Sequence, residues 1–75
     1  MNASRRKNLS KAYELISEAQ TIVEEAMEEE TESFDNLPEG IQASEKGEQM
    51  EENIGALEEA IENLEEAADK LFELL

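Results

Sequence analysis

The sequence predicts an all-α fold: an antiparallel two-helix hairpin of the helical coiled-coil type. Two long segments of the 75-residue chain repeat apolar residues every seven positions, and one short segment containing Pro38 and Gly40 separates them. Such repeats are typical of helices that pack along their length, and a short connection favours an antiparallel pair. The whole chain is then one domain, with helix 1 at about 4–33, a joint at 34–44 and helix 2 at about 45–75.

The first helix carries the less regular repeat. Leu9, Ile16 and Val23 recur every seven positions, with smaller or polar residues between them, and Ile22 flanks the stripe. Ser4 is the expected N-cap residue. The first turns of this helix are basic and its last turn is acidic, which opposes the helix dipole. Local helix stability therefore does not explain where these charges lie.

The joint is predicted to be a helical turn between two caps. Asn36 followed by Glu39 resembles a capping box, with Pro38 in the first turn. Ser44 is the expected N-cap of the second helix, where acidic residues follow in the first turn and favour the helix dipole. The chain thus has cap signals on both sides of the joint.

Two interpretations of the bulky residues in the joint remain open. Gly47 falls on the apolar stripe of the second helix, and its missing side chain leaves room for Phe34 or Leu37 to close the end of the core. Alternatively, Phe34, Leu37 and Ile41 form an exposed apolar contact for a partner. Gly55 lies outside the stripe, where a glycine costs a helix on the order of 1 kcal/mol relative to alanine.

The second helix has a clean heptad seam, and its main self-association residues are Ile54, Leu57, Ile61, Leu64 and Leu71. Alanines beside them make a face wider than a two-stranded seam requires. This width predicts a homodimer in which two hairpins form a four-helix bundle.

An antiparallel register can be predicted by aligning the two stripes. It sets Ile16 on Leu64 and Val23 on Leu57. Large apolar residues then face each other along the hairpin.

Composition excludes most chemistry. The chain has no cysteine and no histidine, and its 21 acidic and 6 basic residues give a net charge of −15. A nucleophilic triad and a Glu-x-x-His di-iron site therefore cannot form. We expect no enzyme, no catalytic, cofactor-binding or metal-binding residue, and no nucleic acid, membrane or small-molecule partner. The absence of cysteine, of an apolar span and of a signal segment favours the cytoplasm.

Negative charge is concentrated near the joint. The first helix starts with Arg5, Arg6, Lys7 and Lys11, which the hairpin is expected to neutralise with acids of the second helix. Near the joint, Lys46 is the only basic residue among the acidic ones. The carboxylates predicted to bind a partner there are Glu24, Glu25, Glu28, Glu29, Glu32, Glu48, Glu51 and Glu52. These charges either dock on a basic protein surface or only solvate the protein.

The joint sequence FDNLPE at 34–39, followed by SEKG at 44–47, resembles small acidic helical proteins of uncharacterised function encoded by phages and prophages. The resemblance covers nearly the whole chain, although its glutamate-rich helices are common in composition. It implies a phage-type regulator or inhibitor in a bacterial host and carries over no activity and no site residue.

Two functions follow from these observations. In the first, the protein is a non-catalytic protein-binding module that docks its acidic end on a basic surface, including as a DNA mimic. In the second, it is a structural, self-associating coiled coil whose charge serves only solubility.

Overall fold

The computed structural model describes all 75 residues and contains three helices and no strand. They are α1 (Ala3–Asp35), α2 (Glu39–Gln42) and α3 (Glu45–Glu73). The two long helices pack against each other, so the all-α prediction is confirmed. The molecule is a rod with Cα extents of 58 × 14 × 13 Å and a radius of gyration of 17.1 Å, whereas a compact domain of this length has a radius of about 11 Å.

The N-cap of helix α1 lies two residues earlier than predicted. Asn2 is the N-cap residue, and its side-chain oxygen accepts a hydrogen bond from the backbone N–H of Arg5 at 2.8 Å. The prediction of Ser4 was wrong, because Ser4 already lies inside the helix, where it cannot adopt the extended backbone of an N-cap. At the other end, the N–H of Asn36 donates to the carbonyl of Glu32 at 3.1 Å and closes the helix.

The joint contains a helical turn between caps, as predicted, but the capping residues differ. Asn36 ends α1, and Pro38 is the N-cap of α2 without a side-chain hydrogen bond, so the predicted capping box with Glu39 does not form. Ser44 is the N-cap of α3, as predicted. Its hydroxyl donates to the carbonyl of Ile41 rather than accepting from α3.

Gly47 is buried where α3 meets α2. A β-carbon on Gly47 would lie 2.7 Å from the Cα of Gln42 and closer still to its carbonyl group. The space left by the missing side chain is therefore filled by the backbone of α2, not by Phe34 or Leu37 as one interpretation held. Both of these side chains are half-buried nearby, and the side-chain amide of Gln42 donates to the carbonyl of Phe34 at 3.0 Å.

The core of the hairpin is a thin seam. Only Gly47, Ile61 and Ala68 are buried, and no side chain is fully enclosed. The other predicted seam residues of α3 are half-buried: Ile54, Leu57, Leu64 and Leu71. On α1 the predicted stripe of Leu9, Ile16 and Val23 is half-buried as well. The residues predicted for the self-association seam thus pack mainly inside the hairpin.

The predicted register, which set Ile16 on Leu64, is wrong by about one helical turn. The side-chain amide of Gln20 donates to a carboxylate oxygen of Glu65 at 3.3 Å. One turn further toward the open end, Ile16 is therefore level with Ala68. Because the joint folds as an additional helical turn, the midpoint of the hairpin lies further along the chain than the alignment of the two stripes indicated.

Two further contacts across the hairpin agree with this register. The rings of Tyr13 and Phe72 lie with their centroids 5.9 Å apart. Near the joint, the amide of Asn53 donates to Glu30 at 3.0 Å. The two ends of the hairpin are thus tied by one aromatic and one polar contact.

Candidate interaction surface at the acidic end

The half of the rod next to the joint carries most of the negative charge. Residues 24–52, on both sides of the joint, contain twelve of the 21 acidic residues and only one basic residue, Lys46. We call this segment the acidic pole; its acidic residues are Glu24, Glu25, Glu28, Glu29, Glu30, Glu32, Asp35, Glu39, Glu45, Glu48, Glu51 and Glu52. The end of α1, all of α2 and the start of α3 position them, because the joint turns the chain back on itself here.

Most of the carboxylates predicted to bind a partner are exposed to solvent. Seven of the eight are exposed, and Glu24 is half-buried. An oxygen of Glu24 accepts from the amide of Gln20 at 3.3 Å. Exposed carboxylates that no other side chain holds can reach an approaching surface without losing an existing contact.

Glu30 has a different role from its neighbours. It is half-buried, and it accepts a hydrogen bond from Asn53 across the hairpin. The sequence carried a signal for this position, because Glu30 follows Val23 by seven residues and so continues the stripe of Leu9, Ile16 and Val23. Glu30 is thus a seam residue within the acidic pole.

The predicted neutralisation of the basic start of α1 by α3 was wrong. The only ion pair within 4 Å joins Lys11 and Glu14 on the surface of α1, at 3.7 Å. The register explains the absence of a cross-hairpin pair: it carries Arg5, Arg6 and Lys7 past Glu73, the last residue of α3. Both partners of the one pair are exposed, so it contributes little to stability.

The apolar residues of the joint divide by exposure. Phe34 and Leu37 are half-buried, and Ile41 on α2 is 42% exposed. Ile41 is therefore the one of the three that offers most of its apolar surface beside the acidic pole.

A shallow open groove of about 330 Å³ lies along one side of the acidic pole. Its lining residues are Ala26, Glu29, Glu30, Ser33 and Leu57. The groove holds two carboxylates and a hydroxyl above an apolar floor, which suits a basic side chain with an aliphatic stem. No group of three or more acidic side chains is arranged to hold a metal ion.

Salt is expected to stabilise this protein. Like charges repel throughout a chain of net charge −15, and the single exposed ion pair offers almost no attraction for salt to screen. The melting temperature, followed by circular dichroism, should therefore rise between about 0.02 and 0.5 M NaCl. A variant with Glu25, Glu28, Glu51 and Glu52 changed to glutamine should show a smaller rise, and a melting temperature that falls with salt would contradict the argument.

No known protein-family model, curated protein or solved structure matches this chain. Neither long helix has an apolar stretch of the length that a bilayer crossing requires.

Proposed function

We propose that this protein is a non-catalytic binding module that docks its acidic pole on a basic protein surface. It acts as a small phage-type regulator or inhibitor in the bacterial cytoplasm. The observation that carries the proposal is the concentration of exposed, unpaired carboxylates in one half of the rod. Such a field speeds the approach of a basic partner and makes the complex sensitive to salt.

The sign of the charge in the last turn of α1 supports a role for the acidic pole in binding a partner. The last turn of α1 contains no basic residue, although cations there would favour the helix dipole. The acidic side chains at this end therefore reduce the stability of α1 through their interaction with the helix dipole. A binding role accounts for this cost, since the acids that α1 adds lie beside those at the start of α3.

One form of the proposal is a DNA mimic. Twelve carboxylates over about half of the 58 Å rod give one charge per about 2.4 Å, compared with one per about 1.7 Å along duplex DNA. A DNA-binding surface that contacts phosphates can therefore contact the carboxylates of this half of the rod. In that case duplex DNA and the protein compete for the same partner.

The acidic pole can be tested by comparing two charge-matched variants. One changes Glu25, Glu28, Glu51 and Glu52 to glutamine at the acidic pole. The other makes the same change at four exposed open-end residues: Glu14, Glu18, Glu66 and Glu73. A partner captured from bacterial lysate should bind the first variant at least about tenfold more weakly than the wild type, and the second nearly as well.

Salt and competition complete this test. Binding should weaken steeply from about 0.05 to 0.5 M salt, and duplex DNA should displace the protein if the partner binds DNA. Equal affinity of both variants, or affinity that is constant over this salt range, would overturn the proposal. Helix content measured by circular dichroism controls for folding.

A second candidate function is a structural module that self-associates. The observation that favours it is a row of exposed apolar residues outside the seam, including Leu15 and Ile22. In this function two hairpins form a four-helix bundle as a homodimer, and the charge serves only solubility.

A further inference from the structure

Two large apolar side chains lie outside the seam on one side of the rod. Leu15 is 52% and Ile22 is 65% exposed. They are seven residues apart, so they share one face of α1. We call the surface around them the neutral flank; it consists of Ala12, Leu15, Ala19 and Ile22 of α1 with Ala60 and Ala67 of α3.

The two sides of the hairpin differ in character. Asn53 contacts Glu30 on the side of the neutral flank. Seven-residue steps from Asn53 lead along α3 to Ala60 and then to Ala67. Gln20 contacts Glu65 on the opposite side, where the same steps lead toward the joint to Glu58 and Glu51 and toward the open end to Phe72. Along the middle of α3 the repeat thus places alanines on one side and carboxylates on the other.

The neutral flank itself contains no charged residue, and the few charges on the same side of the rod lie toward its ends. Seven-residue spacing places two basic residues on this side at the open end, Arg5 and Lys70. Toward the joint it places Glu29, and at the joint end Lys46. Among the positions of α1 and α3 that share this side by seven-residue spacing, Glu29 is the only acidic residue. In a chain of net charge −15, this is the side where a second copy meets least repulsion.

The hairpin also exposes more surface than its mass requires. Its accessible surface is 5637 Å², whereas a folded monomer of 8.4 kDa exposes about 4,600 Å². The excess of about 1,000 Å² is similar to the roughly 800 Å² that each partner buries in a stable interface.

We propose that two copies of this chain pair through their neutral flanks as an antiparallel, two-fold symmetric dimer. With the symmetry axis near Ala19, Leu15 of one copy lies on Ile22 of the other, and the two α1 helices run side by side in opposite directions. Arg5 of each copy is then level with the second copy's Ser33, at the end of the groove and about one helical turn from Glu29. The basic end that finds no partner within the hairpin finds one between copies.

This inference specifies the bundle of the second candidate function and rests on it for self-association. Binding of a basic partner by the acidic pole does not depend on it, because the glutamates changed in that test lie outside the neutral flank. Loss of the dimer and loss of the partner are therefore separate outcomes.

The face can be tested by placing one charge on it. Sedimentation equilibrium should give a dimer for the wild type at micromolar concentration. Ile22→Glu buries an unpaired carboxylate in the interface and should leave a monomer of unchanged helix content. Thr21→Glu adds the same charge at the neighbouring exposed position outside the flank and should leave the dimer intact. A monomeric wild type, or a dimer that survives Ile22→Glu, would overturn the proposal.

The orientation can be tested with single cysteines, because the natural chain has none. Ala19→Cys lies near the symmetry axis and should form a disulfide-linked dimer under mild oxidation, whereas Ala26→Cys should not. Cross-linking at both positions or at neither would contradict the antiparallel arrangement. Arg5→Glu should weaken the dimer, and adding Glu29→Arg in the same chain should restore it; failure of this rescue would remove the proposed charge pairing.

Discussion

Ile61→Ala is expected to destabilise the protein by about 2–4 kcal/mol, the usual cost of removing a large buried aliphatic side chain. Ile61 is the most buried large side chain in the molecule, at 9% exposure. The seam has no second layer behind it, and only three residues of the chain are buried. A loss of this size removes much of the stability that a 75-residue chain possesses.

The measurement is the urea midpoint of helix content at one fixed protein concentration, because association would change apparent stability. Ile41→Ala is the matched control. It removes the same atoms from a side chain that is 42% exposed, so it should cost about 1 kcal/mol or less. If both substitutions cost the same, burial in the seam does not set the stability of the hairpin.

Gly47→Ala is expected to destabilise the protein by about 2 kcal/mol or more, although alanine favours a helix. The added β-carbon meets the backbone of Gln42. Backbone cannot rotate away as a flexible side chain can, so α2 must move and the joint must open. We expect a lower urea midpoint and faster proteolysis within the joint.

Gly55→Ala provides the comparison for this prediction. Gly55 lies in the same helix with open space around it, since no atom comes within 4 Å of the position that a β-carbon would occupy there. The same substitution should therefore raise stability by about 1 kcal/mol through helix propensity alone. Equal stability of the two variants would show that Gly47 is not a close-approach glycine.

The heptad pattern of α3 could be predicted because every seam position holds an apolar residue or a glycine. The pattern of α1 was harder to follow. Its seam includes Tyr13, Gln20 and Glu30, all half-buried, whereas Ala26 is exposed although it lies near the predicted stripe. Polar seam residues are stabilised by contacts across the hairpin, and those contacts exist only once the register is known.

The register itself could not be predicted from the pattern of apolar residues. Two heptad stripes match at several alignments, and one turn of displacement still brings apolar residues together. The choice between alignments is made at the joint, where the backbone of Gln42 fits against Gly47. The displacement also removed the predicted neutralisation of Arg5, because it carried this residue beyond the end of α3.

The placement of the acidic pole could be predicted, since a hairpin brings the end of α1 and the start of α3 together whatever their register. The neutral flank was only partly visible. Ile22 stood out beside the stripe, but which alanines of α3 share its side follows from the contact of Asn53 with Glu30.

The slender shape of the rod determines how far its charges act. Nowhere is the molecule more than two helices thick, so every ionised group is close to water and its field is screened by the surrounding ions. The screening distance is about 10 Å at 0.1 M salt, whereas the rod is 58 Å long. The two tips of one molecule are therefore electrically independent, and whatever docks at one tip leaves the potential at the other unchanged.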